Sequence, residues 1–147
     1  MKNLTTYAVI GLGGRSRMYL EAVGKTFRET SRLVALCDSN PGRLELAASL
    51  PYVQPHSPRL YSDTDFERMI AETKPDTVLV VCQDSSHDFY ICRAMELGCD
   101  VITEKPMTID AERAQRILDT QKRTGRNVRV TFNYRYSPPR TQVKDLL

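Results

Sequence analysis

Short apolar runs alternate along this chain with longer segments in which apolar residues recur every three or four positions. The continuous apolar run at 33–37 and the strongly β-forming run at 77–82 are typical of central parallel strands that are covered on both faces. Further short strands are predicted at 7–10, 59–61, 101–103 and 128–132, the last with alternating polar residues that indicate a sheet edge. Strands that alternate with helices predict an α/β fold, in which a doubly wound and mostly parallel sheet forms the middle of three layers.

The segments between the strands carry helix signals. Helices are predicted at about 17–30, 41–50, 64–73, 86–97 and 110–124. Asn40 is placed to cap the second helix, with Pro41 at its first position, and Asp63 or Thr64 is placed to cap the third. One side of the fifth helix gathers the less polar side chains, which are Ala114, Ile117, Leu118 and Gln121.

Composition narrows the classes of function. A chain of 147 residues has the size of one domain, and 21 Lys and Arg against 18 Asp and Glu give a formal net charge of only +3. The basic residues of 113–129 are interspersed with acidic ones, which predicts a solvated helix surface rather than a nucleic-acid face. No stretch has the length of a membrane span or the form of a secretory leader, so we expect a soluble cytoplasmic protein that binds neither nucleic acid nor membrane.

The sequence contains few residues in patterns that bind a metal ion. Its four cysteines contain no C-x-x-C pair, and three lie in or beside apolar runs, where a thiol behaves as a small hydrophobe. Only His56 and His87 could join them. We therefore predict reduced structural thiols and no metal site.

Residues that break the apolar pattern stand where the predicted strands end. They are Gly11–Ser16, Asp38, Gln83-Asp84, Glu104-Lys105-Pro106 and Asn133. In an open parallel sheet a ligand lies outside the carboxyl ends of the strands. These residues are therefore the candidates for a binding site.

The first of these segments has the spacing of a phosphate-binding turn. Gly11-x-Gly13-x-x-Ser16 follows a strand and opens a helix, and an acidic residue follows about twenty residues beyond the turn. Gly11 permits the tight turn, and Gly13 lets a pyrophosphate approach the backbone, where free N–H groups and the helix dipole stabilise the anion. Gly14 lies within the same turn, Ser16 stands where a third glycine is usual, and Arg15 either adds positive charge or is simply solvated.

The acidic residue at the end of the second strand bears on the choice of dinucleotide. Asp38 can accept hydrogen bonds from ribose hydroxyls, and its charge repels a 2′-phosphate, which favours NAD. Arg43 lies one helical turn away and could pair that phosphate, which would reverse the preference. The sequence therefore predicts NAD as the cofactor and leaves NADP possible.

Together these motifs resemble the N-terminal domain of the glucose-fructose oxidoreductase, inositol 2-dehydrogenase and rhizopine-catabolism (Gfo/Idh/MocA) family. The resemblance covers about 7–147, and its most specific parts are Glu104-Lys105-Pro106, Ser86-His87, Glu96–Val101 and Asn133–Tyr136. It implies a Rossmann fold and a nicotinamide-dependent oxidoreductase that acts on sugars, cyclitols or related polyols.

The resemblance also implies roles for single residues. In this family the lysine of the E-K-P motif lies beside the nicotinamide and the substrate hydroxyl, which makes Lys105 an acid/base or polarising group. Gln83-Asp84 replaces the more usual Thr-Pro, and His87 is either near the cofactor or a helix cap. The residues that the resemblance places near the cofactor are Gln83, Asp84, His87, Glu104, Lys105 and Asn133.

Two domains are implied in the same way. We predict a dinucleotide-binding domain over 1–132 and the start of a second domain over 133–147, so that the chain would be an N-terminal piece that binds dinucleotide but lacks efficient turnover. The remainder of the second domain would bind a small sugar-like substrate and form a homo-oligomer. A non-catalytic dinucleotide-binding module and an NAD-assisted glycoside hydrolase are the alternatives, although Lys105 favours net redox chemistry.

Overall fold

A sheet of six parallel strands forms the centre of the chain. The computed structural model describes residues 4–135 and 137–146. The strands are β1 Thr5–Ile10, β2 Ser31–Cys37, β3 Arg59–Tyr61, β4 Thr77–Val80, β5 Asp100–Thr103 and β6 Val128–Val130. Their order across the sheet is β3-β2-β1-β4-β5-β6, and each neighbouring pair is parallel. The predicted doubly wound α/β fold is confirmed.

Helices pack on both faces of this sheet. They are α1 Ser16–Glu21, α2 Pro41–Ala48, α3 Phe66–Thr73, α4 His87–Glu96 and α5 Ala111–Thr124. A sixth helix, α6 Pro138–Asp145, has no buried residue. Short 3₁₀ turns occupy Gln54–His56, Asp63–Asp65 and Asp84–Ser86, and a π-helical turn, Ala22–Thr26, continues α1. Within the described residues, no helix is both long and apolar enough to cross a membrane.

The core consists of two hydrophobic clusters, one on each face of the sheet. The side chains of β1 alternate between them, because successive residues of a strand point to opposite faces. Ala8 and Ile10 join the cluster beneath α3, α4 and α5, whereas Val9 joins the cluster beneath α1 and α2. This alternation fixes the register of the central strand, and with it the position of the glycine turn that follows.

The first helix is shorter than the sequence predicts. The pattern predicts a helix over 17–30, but the π-helical turn ends it at Thr26. A Cβ atom on Gly24 would stand 2.2 Å from the carbonyl oxygen of Tyr52, so this turn packs directly on distant backbone. His56 Nε2 lies 3.2 Å from the carbonyl oxygen of Gly24 at the same place. The early end of the helix therefore follows from a tertiary contact.

Of the two predicted helix caps, one is confirmed by the structure and one is wrong. Asn40 caps α2 as predicted, since its side chain accepts a hydrogen bond from the Arg43 N–H. The predicted cap of α3 is wrong, because Asp63 and Thr64 lie in a 3₁₀ turn and α3 begins at Phe66 without a side-chain cap. A 3₁₀ turn supplies its own backbone bonds at a helix start, so a side-chain cap is not required there.

The side of the sheet at β6 is thinly covered. Within α5, Ile117 and Thr120 are buried, whereas Leu118, predicted to share the less polar side, is 43% exposed. β6 is only partly buried, as its alternating pattern predicts, but it ends at Val130 and leaves Phe132 exposed. Among the helices, the main neighbour of α5 is α4.

Candidate functional site

The predicted site segments meet at the carboxyl edge of the sheet. The glycine turn follows β1, Asp38 follows β2, Gln83 comes shortly after β4, and Glu104 follows β5. Between the first three lies a cleft of about 360 Å³. Its walls include Gly11, Gly13, Asp38, Arg43 and Gln83, together with Ser39, Asp63, Cys82, Ser86 and Tyr90.

The glycines of the turn serve two different purposes. Gly11 has φ of +90°, and a Cβ there would stand 2.4 Å from the backbone nitrogen of Cys82. Only glycine allows this close approach of the two strand ends. Gly13 and Gly14, in contrast, have no atom within 4 Å of the place where a Cβ would stand. Gly11 therefore maintains the fold, while Gly13 and Gly14 face open space.

The backbone N–H groups of the turn are only partly used by the protein. The Leu12 N–H donates to Asp38 Oδ2 at 2.6 Å, and the Ser16 N–H donates to the carbonyl oxygen of Gly13 at 3.0 Å. Among the described residues, the N–H groups of 13–15 have no hydrogen-bond acceptor. Consecutive unpaired N–H groups beside open space are an anion site, so the turn fits the pyrophosphate of a dinucleotide.

Two residues of the turn, Ser16 and Arg15, have hydrogen-bond partners within the protein. Ser16 is buried, and its hydroxyl donates to the Gly13 carbonyl oxygen at 2.7 Å, which closes the turn from inside. Arg15 donates through Nε to Glu104 Oε1 at 2.8 Å. Arg15 therefore joins the glycine turn to the end of β5, and about two fifths of its side chain remains exposed to the solvent.

Asp38 shapes the cleft and gives it negative charge. Its side chain is 4% exposed, and its two oxygens accept hydrogen bonds from the N–H groups of Leu12 and Asn40, at 2.6 and 2.8 Å. These bonds hold the glycine turn against the end of β2. The guanidinium of Arg43 lies 4.0 Å from the carboxylate and is more than half exposed, so it stands at the open side of the cleft.

A buried carboxylate joins the glycine turn to Lys105. Glu104 Oε1 accepts hydrogen bonds from the Tyr19 hydroxyl at 2.6 Å and from Arg15 at 2.8 Å, and Oε2 accepts one from the Lys105 N–H at 3.2 Å. The Tyr19 hydroxyl also lies 2.7 Å from the Thr131 hydroxyl. These five residues are called the Glu104 network below. Tyr19 and Thr131 were not among the predicted site residues.

The Glu104 network favours an ionised carboxylate. Burial by itself would raise the pKa of Glu104, but the hydrogen bonds from Tyr19 and Arg15 outweigh it and hold that pKa below its usual value. Burial, reinforced by the hydrogen bond to Glu104, raises the pKa of Tyr19 to about 12. Tyr19 is therefore a neutral donor and Glu104 a charged acceptor near neutral pH.

His87 lies beneath the cleft. Its side chain is fully buried, and its ring nitrogens lie 2.9 Å from the carbonyl oxygen of Pro106 and 3.2 Å from that of Cys82. The ring thus ties the end of β4 to the turn that contains Lys105, whose peptide bond to Pro106 is cis. Lys105 itself is exposed. The buried ring of His87 therefore joins two backbone segments of the site.

The remaining predicted residues lie at the margins of the site. Asp84 is exposed on the 3₁₀ turn before α4. Asn133 is exposed in a turn beyond β6 and does not line the cleft, and Tyr136 of the same motif lies outside the described residues. In the parts of the chain that the structure describes, no group of His, Cys, Asp and Glu side chains has the arrangement of a metal site.

Cys82 and Tyr90 also line the cleft, and neither was a predicted site residue. Burial raises the pKa of Cys82 and of Tyr90 to about 12, so both side chains are neutral at physiological pH. Cys82 comes just beyond β4, where a strand-end position could have identified it. Tyr90 lies within α4, and nothing in the local pattern separates it from a core residue.

Much of the basic surface of 113–129 is paired with acidic groups. Arg113 and Arg116 form ion pairs with the buried carboxylate of Asp88, and Arg123 pairs with Glu96. These contacts join α5 to α4. The three arginines are therefore part of the packing between two helices.

Known proteins resemble this chain along nearly its whole length. A family model described as the oxidoreductase family, NAD-binding Rossmann fold (GFO_IDH_MocA), matches residues 5–132. YteT of Bacillus subtilis (strain 168) is 32% identical over 148 residues, which cover 100% of this chain and 34% of YteT. The inositol 2-dehydrogenase/D-chiro-inositol 3-dehydrogenase of Lactiplantibacillus plantarum is 24% identical over 146 residues, which cover 99% of this chain and 40% of that enzyme.

A solved structure shares the fold. The WlbA dehydrogenase from Bordetella pertussis, in complex with NADH and UDP-GlcNAcA, matches 97% of this chain and 41% of its own with a TM-score of 0.86 at 22% identity.

The strand order and the glycine turn after β1 define an NAD-binding Rossmann domain. The chain belongs to the Gfo/Idh/MocA family of oxidoreductases, as the resemblance of its motifs implies. It spans 34–41% of the length of the three relatives named above.

Proposed function

We propose that this chain is the dinucleotide-binding part of an enzyme that moves a hydride between NAD and a carbinol carbon of a sugar, cyclitol or related polyol. Family membership supports the cofactor. The substrate class is supported by the inositol 2-dehydrogenase among the relatives and by the sugar nucleotide bound to WlbA. The remaining length of those relatives would supply the substrate-binding residues, and a homo-oligomer would form through them.

The position of Lys105 carries this proposal. The Lys105 N–H is bonded to Glu104, and Glu104 is bonded to Arg15 of the glycine turn, at 3.2 and 2.8 Å. On the other side, the Pro106 carbonyl oxygen lies 2.9 Å from the buried ring of His87. An exposed lysine is thus held beside the turn that fits the cofactor's phosphates. Such placement suits a group that must meet both the cofactor and a substrate.

The chemistry requires a proton acceptor at this place. Oxidation of a secondary alcohol removes a hydride from the carbon and a proton from the hydroxyl oxygen. The nicotinamide ring, when bound, accepts the hydride. The Nζ amine of Lys105 would take up the hydroxyl proton and would return it in the reverse direction. Gly13 and Gly14 would hold the phosphates through the unpaired N–H groups of 13–15.

Asp38 supports NAD over NADP. Its carboxylate lines the cleft, and both oxygens are held in place by backbone N–H groups, so it cannot easily turn away from an incoming 2′-phosphate. Arg43 lies 4.0 Å from the same carboxylate and would give NADP a residual affinity. We therefore expect NAD and NADH to bind at least about tenfold more tightly than their phosphorylated forms, a difference of about 1.4 kcal/mol.

Calorimetric titration with NAD⁺, NADH, NADP⁺ and NADPH tests the cofactor. The matched variant is Gly13→Val, because a Cβ at this position has no protein atom within 4 Å and the added side chain would occupy the space that the phosphates need. We expect saturable binding of NADH by the wild-type chain and a loss of at least about tenfold in Gly13→Val, with an unchanged thermal midpoint. Arg43→Ala should weaken NADPH and leave NADH unaffected. A folded wild-type chain that binds none of the four would overturn the cofactor assignment.

Turnover of the complete protein with inositols and sugars tests the role of Lys105. Lys105→Met should reduce kcat by about 10²–10⁴-fold, the usual contribution of an acid/base group, while the affinity for NADH stays within a few fold. Lys122→Met, a change of the same kind on the exposed side of α5, should leave kcat unchanged. Dinucleotide binding without lysine-dependent turnover would instead indicate the non-catalytic module. Aglycone release without net NADH formation would indicate the glycoside hydrolase.

A further inference from the structure

The Glu104 network contains a residue whose role extends beyond packing. Tyr19 lies on α1, one turn of helix after the glycine turn. Its hydroxyl donates to Glu104 Oε1 at 2.6 Å, which is shorter than the 2.8 Å bond from Arg15 to the same oxygen. We propose that Tyr19 is a positioning residue for Lys105, which it fixes through the Glu104 carboxylate. This inference rests on the proposed function, in which Lys105 acts on the substrate hydroxyl.

The two oxygens of the Glu104 carboxylate bind different parts of the structure. Oε1 receives the Tyr19 hydroxyl and the Arg15 guanidinium, and Oε2 is left to receive the Lys105 N–H. The carboxylate is therefore held from the side of α1 while it holds the backbone of the lysine. Because the backbone N–H belongs to Lys105 itself, a carboxylate that tilts away would release a constraint on the backbone from which the reactive side chain extends.

The two donors to Oε1 are not equivalent. About two fifths of the Arg15 side chain is exposed, so solvent competes for its guanidinium. Tyr19 is buried, and its hydroxyl is held between Glu104 and the Thr131 hydroxyl of the segment after β6, at 2.6 and 2.7 Å. The tyrosine hydroxyl is thus the buried support of the carboxylate, and Arg15 is the solvent-exposed one.

The hydroxyl of Tyr19 is separable from its ring. The ring lines an apolar groove of about 430 Å³ together with Tyr7, Val23, Leu79 and Ile102, and phenylalanine would fill that place equally well. Packing alone therefore does not require a hydroxyl here. The hydroxyl bonds only with Glu104 and Thr131 among the described residues.

Nuclear magnetic resonance of the 147-residue chain tests the link without any cofactor. The Lys105 N–H is bonded to the carboxylate, so its chemical shift follows the ionisation of Glu104 as the pH is lowered. In the wild-type chain the midpoint should lie below the usual glutamate value of about 4.3. Tyr19→Phe should raise the midpoint by about one pH unit, because the carboxylate loses its buried donor. Tyr7→Phe, which removes a hydroxyl from the same groove, should leave it unchanged.

Kinetics of the complete protein test the consequence. Tyr19→Phe should lower kcat by about tenfold and leave KM for the dinucleotide within about twofold, because a displaced lysine affects the reaction and not the binding of the phosphates. Thr131→Val should act in the same direction and less strongly, and it replaces Tyr19→Phe if that variant fails to fold. A Lys105 N–H midpoint that does not move in either variant would overturn the link.

The remaining outcomes separate this inference from the proposed function. A midpoint that moves while kcat stays at the wild-type value would overturn the positioning role, since the network would then hold the turn without serving the reaction. Failure of the wild-type chain to bind any dinucleotide would overturn the proposed function and leave the titration of the Lys105 N–H interpretable by itself.

Discussion

Replacing Gly11 should greatly lower the free energy of unfolding of the chain, whereas replacing Gly13 should leave it nearly unchanged. A methyl group at Gly11 would stand 2.4, 2.5 and 2.7 Å from the nitrogen and Cα of Cys82 and the carbonyl carbon of Val81. All three are backbone atoms, which cannot rotate away. Overpacking of this kind costs about 1–3 kcal/mol, and holding alanine at φ of +90° costs about 1–3 kcal/mol more.

The expected loss for Gly11→Ala is therefore about 4 kcal/mol in the free energy of unfolding. Typical domains have only about 5–15 kcal/mol in total, so the variant should be marginally stable. At Gly13 a Cβ has no such neighbour within 4 Å, so Gly13→Val should change the same free energy by less than about 0.5 kcal/mol. Urea unfolding followed by circular dichroism gives both values, with the slope against urea concentration as a check on two-state behaviour.

The pair of variants has two informative failures. If Gly11→Ala unfolds within about 1 kcal/mol of the wild-type chain, the strand ends are not in the close contact described here. If Gly13→Val is as unstable as Gly11→Ala, the space beside Gly13 is not open, and its loss of NADH affinity would reflect unfolding. We expect instead that Gly11→Ala loses stability, whereas Gly13→Val loses affinity for NADH and keeps its stability.

Three further predictions concern charged and ionisable groups. In Asp38→Asn the amide N–H₂ faces one of the two backbone N–H donors and cannot accept its hydrogen bond. The substitution should therefore lower the free energy of unfolding in urea by about 2 kcal/mol. A change below about 0.5 kcal/mol would contradict the two hydrogen bonds from Leu12 and Asn40. Because the pKa of Glu104 is held low, its stabilisation is complete above the usual carboxyl range and is lost as the pH falls through the lowered pKa. Wild type should therefore lose more stability than Glu104→Gln between neutral and acid pH, and equal losses would count against the Glu104 network. The thiol of Cys82, with its pKa raised to about 12, should react with Ellman's reagent about 100-fold more slowly in the folded than in the unfolded chain, and rapid reaction of the folded chain would contradict the raised pKa.

The layout of the fold could be predicted from the sequence because it depends on local patterns. Continuous apolar runs gave the positions of β2 and β4, and the Asn40-Pro41 pair gave the start of α2. The glycine spacing located the anion site for the same reason, since a tight turn and an open approach each require glycine at a fixed place. Such features are encoded within a few neighbouring residues.

The side-chain partners could not be predicted, because each depends on residues far apart in the chain. Glu104 and Tyr19 are 85 positions apart, and a motif that contains the glutamate says nothing about its donor. Arg15 likewise joins Glu104 across 89 positions. His87 begins a helix with no sign that its ring is buried under the turn of Pro106. Leu118 shares the less polar side of its helix but is 43% exposed.

The place of β1 in the sheet sets the order in which the site can assemble. β1 lies between β2 and β4, and the bonds from the N–H and hydroxyl of Thr6 to the Asp76 carboxylate, just before β4, span 70 positions. On a growing chain, one edge of β1 therefore stays without a strand partner until β4 has been synthesised. Gly11 likewise lacks its neighbour Cys82 until that residue has been synthesised. Glu104, the partner of Arg15, is synthesised later still. Distant pairings of this kind form slowly, so the turn encoded near the start of the chain reaches its working shape among the last parts of the domain.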